Sequence, residues 1–292
     1  MDCYWNKIII KKIMHKKKIL TFIILQFFMI CIYGQKSIVL PKDYNKIKNY
    51  ESVKYCRYSG NNDTILSFKL FPKLKNLEYI DFVSCYRNLP QEIFLLDSIK
   101  TFHAWLNNGL TSIPEGICNF KKIKTLILDY NRIEDIPSCI FELNNLRKLD
   151  LNNNKLSYIS EGIKKMENLK SLSLSYNNFT TFPVNICYLK KLEKLSLIAN
   201  KIDCLPKSIG LLKNIESLSL CCNKITELPS ELGHLKQLKY LDLAGNEITS
   251  IPKSIKKLTK LEKLDLSDNP LEKQEIEKIK KILPNCKVIS DW

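Results

Sequence analysis

The chain has 292 residues, a formal net charge of +16 and eleven cysteines. Its lysines gather in pairs such as Lys121-Lys122 and Lys190-Lys191, without interleaved aromatic residues on which bases could stack. The positive charge therefore does not predict a nucleic-acid-binding protein. Solvated charge along one edge of the molecule is the simpler interpretation, and attraction to an acidic polymer or an anionic membrane surface is the alternative.

Residues 1–34 have the pattern of a secretory signal peptide. A lysine-rich head precedes an apolar run from Ile19 to Tyr33, and Gly34-Gln35 follows it. The run is shorter than the roughly 20 apolar residues of a membrane span, so we expect export with cleavage after Gly34. An uncleaved anchor and an ordinary buried helix are the alternatives. Cleavage would remove six Lys and one Asp and lower the charge to about +11.

A nine-residue pattern, Leu-x-x-Leu-x-Leu-x-x-Asn, returns every 23 residues through most of the chain. Looser copies start at residues 53, 77 and 99, so we count about ten turns. This spacing predicts four segments: the signal segment 1–34, a lead-in at 35–52, repeats at 53–270, and a capping helix and strand at 271–292. The regular copies begin at Ile123, Leu146, Leu169, Leu192, Ile215, Leu238 and Leu261.

The copies resemble the leucine-rich repeat family, in its subclass of about 23 residues whose second half reads Leu/Ile-Pro-x-x-Ile-x-x-Leu. The resemblance covers about residues 53 to 292. It implies an α/β solenoid curved as a horseshoe, with a parallel sheet on the concave face and short helical or 3₁₀ turns on the convex face. The matching residues build the scaffold, so the resemblance specifies fold far better than function.

Local patterns predict the same architecture. Residues 194–198 alternate polar and apolar, which suits a strand that buries Leu195 and Leu197. Pro206 suits the turn that leaves the strand, and a short helical turn around Ile209 returns the chain. An asparagine follows each strand where an amide can donate to and accept from buried turn backbone, as in the family's asparagine ladder. The series is Asn107, Asn131, Asn154, Asn177, Asn200, Asn223, Asn246 and Asn269.

The cysteines cannot all pair in disulfides, and the sequence does not specify their disulfide state. Nine remain after loss of the signal segment, an odd number. Cys118 and Cys187 occupy equivalent positions but lie three repeats apart, and no two adjacent strands offer a stacked pair. We therefore interpret most cysteines as small apolar core residues. Cys221-Cys222 lacks a second pair or a facing histidine, so no metal site and no cofactor are predicted.

The candidate binding site is on the concave face, toward its N-terminal half. A solvent-facing Trp has no role in folding, so Trp105 is predicted to anchor a partner; the alternative is that it packs over Leu106. Asp81 and His103 occupy the same place on adjacent turns. They are interpreted as an ordinary surface pair or a polar, pH-sensitive binding contact, rather than as catalytic groups. The predicted partner-binding residues are Tyr79, Asp81, His103, Trp105, Ile127, Asp129, Tyr130 and Tyr176.

The sequence thus predicts a non-enzymatic, exported module at the cell surface or outside the cell that binds a protein, or a glycan, through its concave face. The alternative is a membrane-tethered intracellular scaffold, resembling family members that regulate small GTPases or phosphatases. Membrane contact is expected only through residues 1–34 if they are not cleaved. An enzyme is disfavoured because repeats occupy nearly all of residues 53–292 and leave no second domain for chemistry.

Overall fold

The computed structural model describes residues 37–40, 49–59, 70–83, 89–105 and 110–292. The predictions for residues 1–34 and for Asn107 lie outside these ranges. The described strands form one parallel sheet of 12 strands in which spatial order follows chain order. The prediction of a leucine-rich repeat solenoid is confirmed. The strands are β1 (Ser37–Leu40), β2 (Tyr55–Ser59), β3 (Tyr79–Val83), β4 (Thr101–Trp105), β5 (Thr125–Ile127), β6 (Lys148–Asp150), β7 (Ser171–Ser173), β8 (Lys194–Ser196), β9 (Ser217–Ser219), β10 (Tyr240–Asp242), β11 (Lys263–Asp265) and β12 (Lys287–Ile289).

The register of the sheet follows the repeat. Leu172 on β7 lies beside Leu195 on β8, which lies beside Leu218 on β9. Each of these leucines is at most 1% exposed, whereas the strand residues on either side of it face the concave surface. Stacking therefore builds one continuous core that no single repeat could bury alone. The sheet also begins earlier than the repeat pattern, because β1 in the lead-in segment pairs in parallel with β2.

Short 3₁₀ helices form the opposite, convex side. In the later repeats each has five residues, and most follow directly after a proline with extended backbone, such as Pro206 at φ −73°. Proline has no N–H to donate and fixes φ, so it suits the residue before a helical turn. The 3₁₀ helices are Tyr50–Ser52, Phe71–Lys73, Gln91–Leu95, Glu115–Asn119, Ser138–Glu142, Glu161–Lys165, Val184–Tyr188, Lys207–Leu211, Ser230–His234 and Lys253–Lys257.

The asparagine ladder joins neighbouring repeats through hydrogen bonds. Asn177 Nδ2 donates to the carbonyl oxygens of Leu174 and Ser175 in its own repeat, and to Leu151 in the repeat before. Its Oδ1 accepts from the N–H of Leu156 at 2.9 Å. The same amide therefore serves as donor and acceptor, as its place in the pattern predicts.

A helix and a strand close the C-terminal end. The helix α1 spans Lys273–Ile282 and buries Ile276 and Ile279, and β12 follows it. Lysine and glutamate occupy much of the remaining helix surface, which separates a buried face from a solvated one. Within the described ranges, no helix combines the length and the apolar character that crossing a bilayer requires.

A disulfide joins Cys118 to Cys139, with a Cα–Cα distance of 5.8 Å, so these two are exceptions to the expectation that most cysteines are apolar core residues. The expectation compared strands and equivalent repeat positions. The bonded residues lie instead on neighbouring 3₁₀ helices, at the fourth position of one and the second position of the next. Their separation is 21 residues rather than 23.

The same fourth-to-second contact recurs along the convex side and matches side chains by size. A Cβ added at Gly116 would lie 2.3 Å from the ring of Phe94, and one added at Gly162 would lie 2.5 Å from the ring of Phe141. Glycine is therefore required at the second position where phenylalanine fills the fourth. Two cysteines meet at the position between these pairs, where both side chains are of intermediate size.

Candidate binding site on the concave face

Strand register brings the predicted residues of the N-terminal repeats onto one face. Asp81 on β3 lies beside His103 on β4, which lies beside Ile127 on β5. Trp105 ends β4 beside Val83. In a strand alternate side chains point to the same side, so one stretch of the concave face collects these groups.

A chain of close polar contacts runs across these strands. Arg57 Nε lies 3.0 Å from Asp81 Oδ2, and Asp81 Oδ1 lies 3.3 Å from His103 Nδ1. The other ring nitrogen of His103, Nε2, lies 3.3 Å from Asp129 Oδ1. We call Arg57, Asp81, His103, Trp105 and Asp129 the Asp81 cluster.

The centre of the Asp81 cluster is buried, which corrects the prediction of an ordinary surface pair. Asp81 is 1% exposed and His103 is 3% exposed. Burial raises the pKa of Asp81, although the nearby His103 and Arg57 act in the opposite direction. Desolvating a charge is costly unless it is paired, and these residues pair with one another. They therefore stabilise the concave face from beneath and are not exposed on it.

Aromatic rings surround the cluster. Tyr55 and Tyr79 stack on each other with ring centroids 4.7 Å apart, and Trp105 stacks on His103 at 5.9 Å. Burial raises the pKa of Tyr55 to about 12, and the charge of Asp81 adds to this shift. Both tyrosines and Trp105 are half-buried. Trp105 thus has a packing role against His103 that the sequence pattern did not predict.

Arg57 and Tyr55 were not among the predicted site residues. Their repeat, which starts at residue 53, departs most from the pattern, yet they have the same phase in it as Asp81 and Tyr79. Only their position within the repeat could have identified them from the sequence. The structure brings both into contact with predicted residues.

Tyr130 and Tyr176 lie beside the concave face, one residue before the ladder asparagines. Both adopt the left-handed backbone conformation, at φ 55° and 57°. Asn153 holds the same position in the repeat between them, at φ 53°. This conformation costs roughly 1–2 kcal/mol for a residue other than glycine, and asparagine tolerates it best. The repeat imposes this conformation whatever residue stands there, since Ala199, Cys222 and Asp268 share it in later repeats.

The predicted residues consequently separate into two groups. Asp81 and His103 lie within the surface, while Tyr79, Trp105, Ile127, Asp129 and Tyr130 are half-buried. Tyr176 is 40% exposed. The exposed side chains can contact a partner, and the buried pair fixes the strands that carry them.

The central and C-terminal part of the face is different in chemistry. Small hydroxyl side chains occupy β7 to β9, and Ser175 Oγ lies 2.7 Å from Ser196 Oγ. Farther along, Asp265 Oδ1 accepts a hydrogen bond from Ser267 Oγ at 2.7 Å. This region combines serine and aspartate with the exposed side chains of Lys194, Tyr240 and Lys263, so its surface is more hydrophilic than the N-terminal part.

The cluster is arranged for structure and recognition more than for catalysis. Both ring nitrogens of His103 face carboxylates, so the imidazole is held between Asp81 and Asp129 and is not directed at a nucleophile. Across the part of the chain that the structure describes, no group of three or more His, Cys, Asp or Glu residues could hold a metal ion.

Two family models for leucine-rich repeats match the chain. One matches residues 105–156, 121–179 and 213–271, and the other matches residues 260–285. Neither describes an enzyme. Comparison with curated protein sequences gives no match.

Solved structures share this architecture. An internalin, InlF, from Listeria monocytogenes aligns with a TM-score of 0.69 at 19% identity, over 82% of this chain and 68% of that protein. Internalin C2 from the same bacterium aligns with a TM-score of 0.59 at 26% identity, over 69% of this chain and 84% of that one. A plant peptide hormone receptor, RGFR1, in complex with RGF2 aligns at 0.54 and 21% identity, over 81% of this chain and 50% of the receptor.

Proposed function

Because the chain belongs to the leucine-rich repeat family, whose domains are typically protein-binding modules, we propose that it is an exported binding protein. Its partner, a protein, contacts the concave face from the N-terminal repeats as far as Tyr176, just after β7. The observation that carries this proposal is the row of aromatic side chains at positions where the repeat does not specify a residue type. Trp and Tyr are enriched among the residues that dominate binding energy.

The proposed contact surface consists of Tyr79, Trp105, Ile127, Tyr130 and Tyr176, with Asp129 as its acidic member. Asp81 and His103 position this surface by pairing with each other and with Arg57. A rigid aromatic surface loses little conformational freedom on binding, which favours affinity. The sheet beneath it is continuous over 12 strands, so a partner of ordinary interface size can be accommodated.

Export is supported by the disulfide together with the signal-like N-terminal sequence. Structural disulfides persist in oxidising compartments and are rare in the cytosol of most organisms. The Cys118–Cys139 bond therefore favours the exported protein over the tethered intracellular scaffold. The test is the intact mass of protein recovered separately from secreted, membrane and soluble cell fractions. A species beginning at Gln35 outside the cytosol supports export, and a full-length cytosolic species with reduced Cys118 and Cys139 contradicts it.

Binding can be tested with two tyrosines of one repeat that lie on opposite sides. Tyr176 is 40% exposed beside the concave face, and Tyr188 is 51% exposed on the convex 3₁₀ helix Val184–Tyr188. Tyr176→Asn removes the aromatic ring and keeps a residue that accepts the left-handed backbone. Tyr188→Asn is the matched control.

Wild type and both variants would be immobilised and exposed to cell-surface and extracellular fractions, and captured proteins identified by mass spectrometry. We expect a partner whose affinity falls at least about tenfold with Tyr176→Asn and stays unchanged with Tyr188→Asn. Equal capture by all three proteins, or equal loss with both variants, would contradict a concave-face site. Loss of capture after periodate oxidation of the fraction would identify a glycan ligand instead of a protein.

A further inference from the structure

The sulfur atoms of Cys221 and Cys222 lie close together beside the concave face, just after the C-terminal end of β9. The Sγ–Sγ distance is 2.9 Å. Consecutive side chains of an extended strand point to opposite sides and would keep the two sulfurs apart. Here Cys222 has φ 61°, so the chain turns and both side chains lie on the same side. The repeat itself imposes this conformation, since the residues at the equivalent position in neighbouring repeats also have positive φ.

The backbone around the pair is held firmly. The Cys222 N–H donates to the Ala244 carbonyl at 2.8 Å, and the Ala199 N–H donates to the Cys221 carbonyl at 2.9 Å. The pair therefore does not depend on a chance rotation of a mobile loop. Two cysteines fill adjacent positions of a rigid scaffold whose geometry directs their sulfurs toward each other.

Small neighbours leave the sulfurs accessible. Gly245 lies next to Cys222, and a Cβ added there would be 3.5 Å from Cys222 Sγ. The residue that corresponds to Cys222 in the preceding repeat is Ala199, which is also small. Both cysteines are half-buried, so a small reagent can reach them from the concave side.

We propose that Cys221 and Cys222 form a reversible vicinal disulfide and are a thiol-exchange site for low-molecular-weight disulfides such as oxidised glutathione. The inference is independent of the proposed binding function. One thiolate attacks the small disulfide, which forms a mixed disulfide and releases one small thiol. The neighbouring thiolate then attacks the protein sulfur of that mixed disulfide, which closes an eight-membered ring and releases the second small thiol. Two protein thiols are oxidised and one small disulfide is reduced to two thiols.

This bond differs in kind from Cys118–Cys139. The latter joins residues whose Cα atoms are 5.8 Å apart, within the usual range for disulfides. Neighbouring residues have Cα atoms only about 3.8 Å apart, which is below that range. A vicinal disulfide is consequently easier to reduce, and such exposed, strained bonds are the labile ones. The protein would hold one stable disulfide on its convex side and one reversible disulfide on its concave side.

The sequence permits a direct test by peptide mass. Trypsin releases both cysteines in one peptide, residues 214–224, while Cys204 is released separately in residues 202–207. The intact protein would be treated with oxidised glutathione, alkylated without reduction, digested and analysed by mass spectrometry. Cys204 is an exposed cysteine without a second cysteine next to it, so it reports ordinary mixed-disulfide formation.

We expect peptide 214–224 to be unalkylated and lighter by two hydrogens, and Cys204 to carry glutathione. Ring closure should exceed the glutathione adduct on 214–224 by about tenfold or more, because the neighbouring thiol acts at high effective concentration. In Cys222→Ser the ring cannot close, and Cys221 should retain glutathione. Reduction should restore two alkylatable thiols in wild type.

Three results would overturn the proposal. These are alkyl groups on both cysteines after oxidation, stable glutathione on the wild-type peptide, or a disulfide from 214–224 to another peptide or a second chain. A circular dichroism spectrum of Cys222→Ser that matches wild type shows that the variant is folded. Serine is close in size to cysteine, so we expect this control to succeed.

Discussion

The N-terminal and later parts of the concave face solve the same structural problem differently. From β6 to β11 the face carries serine, aspartate and lysine side chains with one exposed tyrosine, Tyr240, and the asparagine ladder, which the structure describes from Asn131 onward, holds adjacent repeats together from inside. From β2 to β5 the face itself has a chain of polar contacts, Arg57–Asp81–His103–Asp129, whose centre is buried and is flanked by aromatic rings. The copies there start at residues 53, 77, 99 and 123, so their lengths alternate around 23. The repeats that differ from 23 residues in length are thus also the repeats whose concave face has unusual side chains.

The two regions differ in which residues stabilise the fold and which can vary to suit a binding partner. In the later repeats the face can change with little effect on the scaffold, because its cohesion comes from the interior. In the N-terminal repeats the face contributes to cohesion, so a binding surface built there is rigid but costly to alter.

Removing one carboxylate from the same strand position in each region should affect the two regions very differently. Asp81→Ala leaves Arg57 and His103 without their central partner in a buried site, and we expect a loss of about 3–5 kcal/mol in the free energy of unfolding. Asp265→Ala removes a carboxylate whose side chain is 17% exposed, and we expect about 1 kcal/mol or less. Chemical denaturation measures both values. Equal losses would show that the Asp81 cluster has no special structural role.

The disulfide gives the second-largest expected effect. It closes a 21-residue separation between neighbouring 3₁₀ helices. In the chain-entropy account, a loop of this size contributes about 3 kcal/mol. Reduction should lower the denaturation midpoint of wild type accordingly. The double variant Cys118→Ser, Cys139→Ser should already have the lower midpoint and respond little to reductant. If reduction lowered the midpoint of the double variant as much as that of wild type, the effect would come from other cysteines.

The asparagine ladder is the corresponding interaction of the regular repeats. Asn177→Ala removes three donated hydrogen bonds and the one accepted from the Leu156 N–H. The buried backbone groups lose their partners, and we expect a cost of about 2–3 kcal/mol. Amide hydrogen exchange should rise most in the two repeats that flank Asn177. Asn178→Ala is the control, since Asn178 is the exposed neighbour. A uniform rise along the sheet would contradict local action of the ladder.

The cross-link of the N-terminal region can be transferred to the regular one. Cys187 and Ser208 occupy the fourth and second positions of neighbouring 3₁₀ helices, 21 residues apart, as Cys118 and Cys139 do. Burial raises the pKa of the Cys187 thiol, and a hydrogen bond with Ser208 offsets part of this shift. Ser208→Cys should form a disulfide with Cys187 and add about 2 kcal/mol. Peptide mapping without reduction detects the bond, and two alkylated thiols would refute the positional rule.

How much of the structure the sequence could predict differs between the same two regions. The Leu and Asn spacing predicts the strands, the core and the ladder, because each of these residues satisfies a requirement of stacking that repeats every turn. It could not predict the burial of Asp81 and His103, since burial there depends on Trp105 and the tyrosines, which occur once. It missed Cys118–Cys139 because the side chains of neighbouring 3₁₀ helices meet with an offset of two residues, whereas strands meet without one.

The smallest effect concerns Asp150, which lies where the two regions meet. Burial raises the pKa of Asp150, and the nearby charge of Asp129 adds to the shift. The folded state therefore holds this proton at pH values where the unfolded state has lost it, and the free energy of unfolding falls as pH rises through that window above the ordinary value of 3.8.

Asp150→Asn removes the titration and the repulsion, and its amide oxygen can still accept the hydrogen bond that the Asn152 N–H donates at 3.2 Å. We expect the variant to be more stable than wild type by about 0.5 kcal/mol at pH 7, with the difference vanishing as the pH falls below the ordinary value. Denaturation at a series of pH values measures it. A variant that is less stable than wild type at pH 7, with a deficit that vanishes toward acid pH, would mean that Asp150 acts as a stabilising charge for Lys148, whose Nζ is 3.8 Å from its Oδ2, and that β6 shares the electrostatics of the later, solvated region.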